Sequence, residues 1–492
     1  MSEKLDFDVA VLGGGSAGYA AARTAAGAGL KSVVIEGADE LGGLCILRGC
    51  MPTKALLYIS EVLHLAKNAG PFGVRVHKAG LDFKRAMARK NALIREFAEN
   101  RARQLQAGTF KFIRARARFL DAHTVALTPR QGRECHSARA AAEKMQDGAQ
   151  GTDAPCKPRR LSAKHFVLAT GSAVAPPPLP SLSEAGYLTS DDALALERPP
   201  ESLLVLGGGP TACEFAQFFA RVGVKVTLVQ RSGRVLMEFD ADAATEIERV
   251  FRREGIQVFT GTRLLDAKRK AKLKVVSFER GSKTAAVSAA EILFALGRVP
   301  NTTSLDLGKA GVQTERDRIV ADEFMQTSAP HIYAAGDCTG PHEIVHIAVQ
   351  QGEIAAHNIA HPDARRAMDG RLLAEVVFTE PQIAFVGLTE KEAAARGLPF
   401  LAASYPFNDH GKSLIMEAKD GFVKLLADPK SGEILGGSCV GPLGGELIHE
   451  IVAAMAKRMT VHELAAMPHY HPTLAEIWTY PAEELAAKIP WR

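Results

Sequence analysis

The chain has 492 residues, 47% apolar and 23% charged, which describes a globular protein with room for two or three cores and excludes a disordered or fibrous one. A net charge of +5 over that length is too dilute for a nucleic-acid surface, and seven cysteines at irregular spacing do not make a secreted disulfide framework. The start MSEKLDFD lacks a basic-then-apolar leader, and the first apolar run, Val9 to Leu30, is interrupted by Arg23 and glycines, so a soluble, cytoplasmic protein without a membrane span is expected.

That run reads as an apolar strand, then Gly13-x-Gly15-x-x-Gly18, an Ala-rich helix and a second strand ending at Glu36. Glycines at these positions permit a tight turn and a close approach of backbone to a pyrophosphate, which the helix N-terminus receives, while the acid suits a ribose hydroxyl. A dinucleotide site is therefore expected at residues 13 to 36.

The next feature is a cysteine pair, in GGLCILRGCMPTK from Gly42 to Lys54. Cys45 and Cys50 have no second pair elsewhere to complete a zinc site, so no metal is expected. Beside a flavin, a dithiol/disulfide couple fits, with one sulfur facing the electron donor and the other the substrate, as thiol–disulfide exchange requires. The spacing suggests two cysteines one helical turn apart, and two unrelated buried cysteines are the alternative.

Residues 129 to 164, with Cys135 and Cys156, are rich in Ala, Gly, Pro and charge and read as an exposed excursion between two strands. FVLATGS follows, carrying Thr170 and Gly171 at a strand end. The fingerprint then recurs as LLVLGGGPTACEFAQFFARVGVKVTLVQR, with Gly207-x-Gly209-x-x-Ala212 after a strand. Here the residue matching Glu36 is Gln230, followed by Arg231. An acid would repel a 2′-phosphate, whereas a neutral Gln beside an Arg accommodates one, so this second site leans toward NADP(H) with NAD(H) as the alternative. Arg234 is a further candidate for that phosphate. ILFALGRVPN and IYAAGDC place Gly297 and Asp337 at strand ends. A helix beginning near Val345 is placed to direct its N–H groups and positive dipole at an anionic ring such as a reduced flavin.

Near the C-terminus, GFVKLLAD, ILGGSCVG and ELIHEIVAAMAKR read as strand, strand and helix. HYHPTLAEIW then offers His471 and Glu476. A His oriented by a carboxylate is a proton acceptor and donor near neutral pH, although taken alone His471 reads rather as an ordinary surface residue near Pro472.

The Gly13 fingerprint, GGLCILRGCMPTK, ATGS, GGGPTACE, ALGRVPN, AAGD and HPTLAE occur in the order seen in FAD-dependent pyridine nucleotide-disulfide oxidoreductases, and the chain resembles that family over nearly its whole length. PTKALLYIS, GFVKLLADPKSGEILGGSCVGP and HPTLAE are most similar to dihydrolipoyl dehydrogenase, while VVFTEPQIAFVGLTE and VQRS lean toward mercuric reductase. The resemblance implies that Cys50 lies against the flavin and Cys45 exchanges with substrate, that Lys54 and Glu214 pair near the flavin, and that Asp337 and Glu36 bind its ribityl and ribose groups. It implies also a homodimer in which His471 and Glu476 serve the partner's cysteines. Electrons would pass between nicotinamide, FAD, the Cys45–Cys50 disulfide and a small disulfide or dithiol.

Some features depart from that pattern. Gln230 stands where dihydrolipoyl dehydrogenases usually have an acid, Pro210 stands where glutathione reductases show a Tyr, and the chain ends in KIPWR where mercuric reductases carry a cysteine pair. Mercuric or glutathione reductase-like activity, or a non-catalytic flavin-binding redox sensor, are the alternatives to a dihydrolipoyl dehydrogenase-like enzyme. The architecture expected is α/β, with two Rossmann-like dinucleotide-binding domains and a C-terminal α+β dimerisation domain: FAD domain at residues 1–174 and 295–365, NAD(P) domain at 175–294, dimerisation domain at 366–492.

Overall fold

The computed structural model describes residues 5–129, 159–340 and 342–490. Most of the expected 129–164 excursion, including Cys135 and Cys156, lies outside them, and its flanks are the strands Thr124–Pro129 and Arg159–Leu168. The chain divides into two compact units. One comprises Met1–Pro52, Asn91–Ala175 and Arg298–Met368, and the other Thr53–Lys90, Pro176–Gly297 and Asp369–Arg492.

In the first unit the near-continuous apolar runs noted above become buried parallel strands, as such runs do when both sheet faces are covered. Phe7–Leu12 is central, pairing in parallel with Ser32–Glu36 on one side and Arg159–Leu168 on the other. Lys111–Phe119 and Ile332–Ala334 extend the sheet at its two ends. Thr124–Pro129 pairs antiparallel with both Lys111–Phe119 and Arg159–Leu168. Because the connections from the central strand run to opposite sides, a crevice opens at its C-terminal end, where Gly13 begins.

The helix Ser16–Gly27 packs on Val345–Ala360 through small residues. A Cβ on Gly352 would stand 2.3 Å from the Ala17 carbonyl oxygen, so the two backbones touch there. Contact this close is open only to glycine, and it fixes the position of the Val345 helix start relative to the fingerprint helix.

Among its described residues the second unit contains three sheets, one of them the antiparallel Thr262–Lys270, Leu273–Arg280 and Lys283–Ala289. Glu291–Phe294, Ser202–Leu206, Lys225–Val229 and Gln257–Phe259 run parallel in that order. Their crossover helix Pro210–Arg221 buries Phe215, Phe218 and Phe219. The C-terminal sheet is antiparallel, with strand order Ala374–Val377, Gln382–Gly387, Ile434–Gly441, Phe422–Ala427, Leu401–Pro406. The helix Gly444–Ala456 contributes Leu447, Ile448, Ile451, Ala454 and Met455 to its core. The strand, strand and helix expected from GFVKLLAD onward are all present, and two Rossmann-like units with a C-terminal α+β domain describe the fold. No helix among the described residues is long and apolar enough to cross a membrane.

Replacing Gly352 by Ala should cost about 1–3 kcal/mol, the usual penalty for overpacking a tight contact, read as a lowered thermal midpoint. Gly27→Ala in the same helix pair, where a Cβ meets nothing within 4 Å, is the control expected to leave the midpoint unchanged or slightly higher.

Candidate active site

The fingerprint loop sits where three backbone segments meet. Gly13 has φ +108°, and a Cβ there would lie 2.2 Å from the Ala169 carbonyl oxygen, so both its conformation and its space demand glycine. The neighbouring ATGS turn, with Thr170 and Gly171, is therefore seated directly on the fingerprint. Asn301 secures that turn, its backbone N–H donating to the Gly171 carbonyl (2.9 Å) and its side-chain amide to the Thr170 carbonyl (3.2 Å).

Gly15 caps the helix Ser16–Gly27 and brings no side chain to its first N–H groups, which leaves them for an anion. Glu36 closes the loop from the other side. Its carboxylate accepts from the Gly14 N–H at 2.7 Å and the Ala38 N–H at 2.6 Å, which fixes it against the loop. A cradle without Cβ atoms, an uncapped helix start and a fixed carboxylate fit the pyrophosphate and ribose of FAD.

Cys45 lies within the short helix Gly43–Leu47, and that helix rests on the same loop: a Cβ on Gly43 would stand 2.8 Å from the Gly15 Cα. Cys50 is the first residue of a second helix, Cys50–Lys67. The two cysteines therefore do not occupy one continuous helix, as their spacing suggested. The chain breaks at Arg48–Gly49, where a Cβ on Gly49 would lie 3.3 Å from the Cys45 Cα, folding the second helix start back toward the first. Cys50 consequently sits at the positive end of an eighteen-residue helix dipole, which favours a thiolate.

The other described cysteines differ. Cys213, Cys338 and Cys439 are wholly buried, and burial drives their thiols upward, Cys338 to about 11, so they stay protonated.

At the end of Ile332–Ala334, Asp337 accepts a 2.6 Å hydrogen bond from the Ser172 hydroxyl. Arg298 steadies that hydroxyl through Nε (2.8 Å) and donates from Nη2 to the Ser172 carbonyl at 2.9 Å. Sequence reasoning passed over Arg298 and Ser172 although both lie in quoted motifs, because nothing in a strand-end motif says which side chain turns toward the aspartate. Val345 is the first residue of its helix, as expected.

In the second unit Lys54 Nζ reaches both oxygens of Glu214 at 2.9 Å, and the Phe378 N–H donates to Glu214 Oε1 at 2.9 Å. The ammonium also lies 4.7 Å from the centre of the Phe378 ring. Glu214 is buried, so its charge depends on these partners.

The second fingerprint repeats the first in detail. Gly207 has φ +117°, with a virtual Cβ 2.2 Å from the Ala295 oxygen, and Gly209 caps the helix that Ala212 enters. Gln230 lies against Gly208 as Glu36 lies against Gly14, its Cγ 2.9 Å from a virtual Cβ. Gln230 Oε1 accepts from the Arg231 N–H at 3.1 Å, and the Arg231 side chain is exposed. Arg234 is committed elsewhere, with both terminal nitrogens donating to the Phe239 carbonyl at 3.0 and 2.9 Å. Gly297, with φ +113°, follows the Glu291–Phe294 strand.

Glu476 is buried and holds the exposed ring of His471, whose Nδ1 lies 2.9 Å from Oε2 and 3.2 Å from Oε1. On its other side stands His410, which the sequence gave no reason to single out. No group of His, Cys, Asp and Glu suited to a metal ion occurs among the described residues.

The family model described as pyridine nucleotide-disulphide oxidoreductase matches residues 7–352, and the corresponding dimerisation-domain model matches residues 373–482. A dihydrolipoyl dehydrogenase of Bacillus subtilis is 33% identical over 479 residues, covering 96% of each chain. LpdA from Mycobacterium tuberculosis superimposes with a TM-score of 0.84 at 28% identity, over 97% of this chain and 99% of that one. The Cu(II) complex of RclA, an HOCl-induced flavoprotein disulfide reductase of Escherichia coli, does so with a TM-score of 0.82 at 25% identity, over 98% and 100%.

Lys54→Met should lower the thermal midpoint by leaving Glu214 a buried, under-compensated charge, an effect of about 3 kcal/mol for a buried pair and less here because Lys54 is partly exposed. Adding Glu214→Gln should recover part of that loss, which a double-mutant cycle of melting curves would measure.

Proposed function

This chain belongs to the pyridine nucleotide-disulphide oxidoreductases, and from that premise we propose that it exchanges electrons between a nicotinamide and a small lipoyl-type dithiol or disulfide through Cys45 and Cys50. It is an FAD-dependent oxidoreductase acting on a sulfur group. The observation that carries the reading of the cysteines is the seating of the Cys45 helix, through Gly43, on Gly15 of the fingerprint. The relatives named dihydrolipoyl dehydrogenase support the lipoyl class of substrate.

In this reading a substrate thiolate attacks the Cys45 sulfur, opening the Cys45–Cys50 disulfide and releasing Cys50 as a thiolate. The second substrate thiolate then attacks the substrate sulfur of the mixed disulfide, closing the substrate's own disulfide and releasing Cys45. His471, held by Glu476, accepts a proton from the attacking thiol at Nε2 and returns one in the opposite direction. FAD, which Gly13, Gly15, Gly18, Glu36 and Asp337 would hold, would supply the two-electron chemistry that links the dithiol to the nicotinamide. Lys54, one helical turn beyond Cys50 and paired with Glu214, keeps a cation beside that path.

We assign residues 1–174 and 295–365 to FAD, 175–294 to the nicotinamide and 366–492 to dimerisation, with Gly13, Gly15, Gly18, Glu36, Thr170, Gly171, Asp337 and Val345 at the flavin and Gly207, Gly209, Ala212, Gln230, Arg231 and Gly297 at the nicotinamide. A homodimer is supported by the dimerisation-domain match and by an exposed apolar stripe of Tyr58, Val62 and Leu65 on the Cys50–Lys67 helix, the face a second copy would cover. In it His471 would serve the partner's cysteines. A cytoplasmic setting accords with three buried thiols.

Cys45→Ser and Cys50→Ser should each retain FAD while disulfide turnover falls to background. Normal turnover in both would remove the cysteines from the reaction. Rates for lipoamide, glutathione disulfide and simple aliphatic disulfides with each nicotinamide test the substrate class: lipoamide should be fastest, and glutathione disulfide in first place would reassign it.

The nicotinamide follows from Gln230 and Arg231. A charge-assisted contact to a 2′-phosphate contributes about 1.5–3 kcal/mol, against about 1 kcal/mol for a neutral hydrogen bond to a ribose hydroxyl. Exposure of Arg231 reduces that margin, so NADPH should lead by about tenfold in kcat/KM. Gln230→Glu with Arg231→Met should reverse the order. An unaltered enzyme that prefers NADH would assign Arg231 to the solvent.

A further inference from the structure

We infer that His410 is a positioning residue for the acid–base pair, holding the far side of the Glu476 carboxylate so that it aims His471 and shares its charge between two imidazoles. The inference rests on the reading above that His471 moves protons for the thiols.

The His410 side chain is wholly inaccessible, with Nε2 lying 3.3 Å from Glu476 Oε1 and Nδ1 2.8 Å from the Ser413 hydroxyl. The Nε2 contact is long and off the axis of a good hydrogen bond, and Nε2 has no hydrogen-bond partner among the described residues. An imidazole nitrogen enclosed with one carboxylate oxygen in reach is accounted for by that oxygen alone.

The groups facing this ring come from every element around it. Ser413 approaches from Gly411–Ile415, Glu476 from the Ala475–Trp478 turn and His471 from the loop before it. Tyr480, from Thr479–Lys488, and Phe407 present ring edges with centroids 6.2 and 6.4 Å away. Among the described residues Glu476 is the carboxylate that acts on this ring. Burial pushes the His410 pKa down, so the ring is neutral and carries a single proton.

The carboxylate decides where that proton sits. A bare Nε2 lone pair would oppose the lone pairs of Oε1, whereas Nε2–H points a positive dipole at them, and the Ser413 hydroxyl can then donate to Nδ1. In the inferred order the Ser413 O–H donates to His410 Nδ1, the His410 Nε2–H faces Glu476 Oε1 across 3.3 Å, and the His471 Nδ1–H donates to Glu476. Every proton is placed so that His471 Nε2 remains a bare acceptor. His471 needs this support because its side chain is 77% exposed and Glu476 is its anchor, while Glu476 without His410 would have a free side on which to turn.

The test is steady-state kinetics of the holoenzyme with lipoamide, or the fastest disulfide of the substrate screen, across pH. His410→Leu should lower kcat by about tenfold, equivalent to about 1.4 kcal/mol on the barrier, with KM within about twofold. It should also move the acidic limb of kcat/KM to higher pH, because Glu476 then acts on His471 with undivided charge. His410→Gln, whose amide nitrogen reaches the place of Nε2, should restore most of kcat, and Ser413→Ala should fall between. If His410→Leu lowers the thermal midpoint too far to assay, His410→Gln and Ser413→Ala carry the test alone. A wild-type pH profile and kcat in Ser413→Ala, or no recovery in His410→Gln relative to His410→Leu, would overturn the inference. His471→Ala separates it from its premise: a loss of about a hundredfold or more supports the acid–base reading, whereas unchanged activity there overturns that reading itself and with it the inference.

Discussion

The structure depends on one constraint, the contact of backbone with backbone around the first fingerprint. Gly13 has the Ala169 carbonyl where a side chain would be, and Gly43 of the Cys45 helix has the Gly15 Cα in the same relation. A strand end, the fingerprint loop, a small-residue turn and the Cys45 helix are thereby brought within a few ångströms of one another, with no side chain intervening. Hydrogen bonds tighten the cluster, from Gly14 to Glu36 and from Asn301 to the ATGS turn. The glycines allow parts from distant places in the chain to share one point.

The chain uses the same device twice and changes one residue. Gly207 against Ala295 and Gly208 against Gln230 reproduce Gly13 against Ala169 and Gly14 against Glu36. In the first copy the carboxylate is tied to two backbone N–H groups. In the second the amide oxygen turns to the N–H of its neighbour Arg231, and the guanidinium extends from the surface. The two copies thus share a geometry and differ in charge at this one position. Arg234 shows why a count of cations overstates such a site: the Phe239 carbonyl takes both of its terminal nitrogens, so it closes a loop and offers nothing to a phosphate.

What was legible in the sequence had a local period or a local turn. Both fingerprints, the strand ends, the start of the helix at Val345 and the C-terminal strand, strand and helix follow from apolar runs and glycine spacing, which depend on neighbours in the chain. The break between Cys45 and Cys50 was not legible, because the spacing allows one helix and only the packing of Gly49 against Cys45 divides it in two. Arg298, Ser172 and Phe378 escaped for a related reason, as their roles lie in contacts with residues far along the chain. His410 is the clearest case. HPTLAE announces His471 and Glu476 five residues apart, but NDHGKS contains nothing to say that its histidine meets that glutamate.

The cysteines show how environment divides a single residue type into functions. Cys213, Cys338 and Cys439 are fully enclosed, where desolvation penalises the thiolate and no cation offsets it, so they contribute volume to the cores and no reactivity. Cys45 and Cys50 are only partly enclosed, on helices bounded by Gly42–Gly43 and Arg48–Gly49, and Cys50 has a helix dipole behind it. A thiolate is the nucleophile in disulfide exchange, so the partly enclosed pair is the one to which the proposed chemistry is assigned. Gly43 brings the Cys45 helix onto the fingerprint loop, and the break at Arg48–Gly49 ends that helix and starts the second one at Cys50. Two glycines six residues apart thus set where Cys45 sits and where the helix that begins at Cys50 starts.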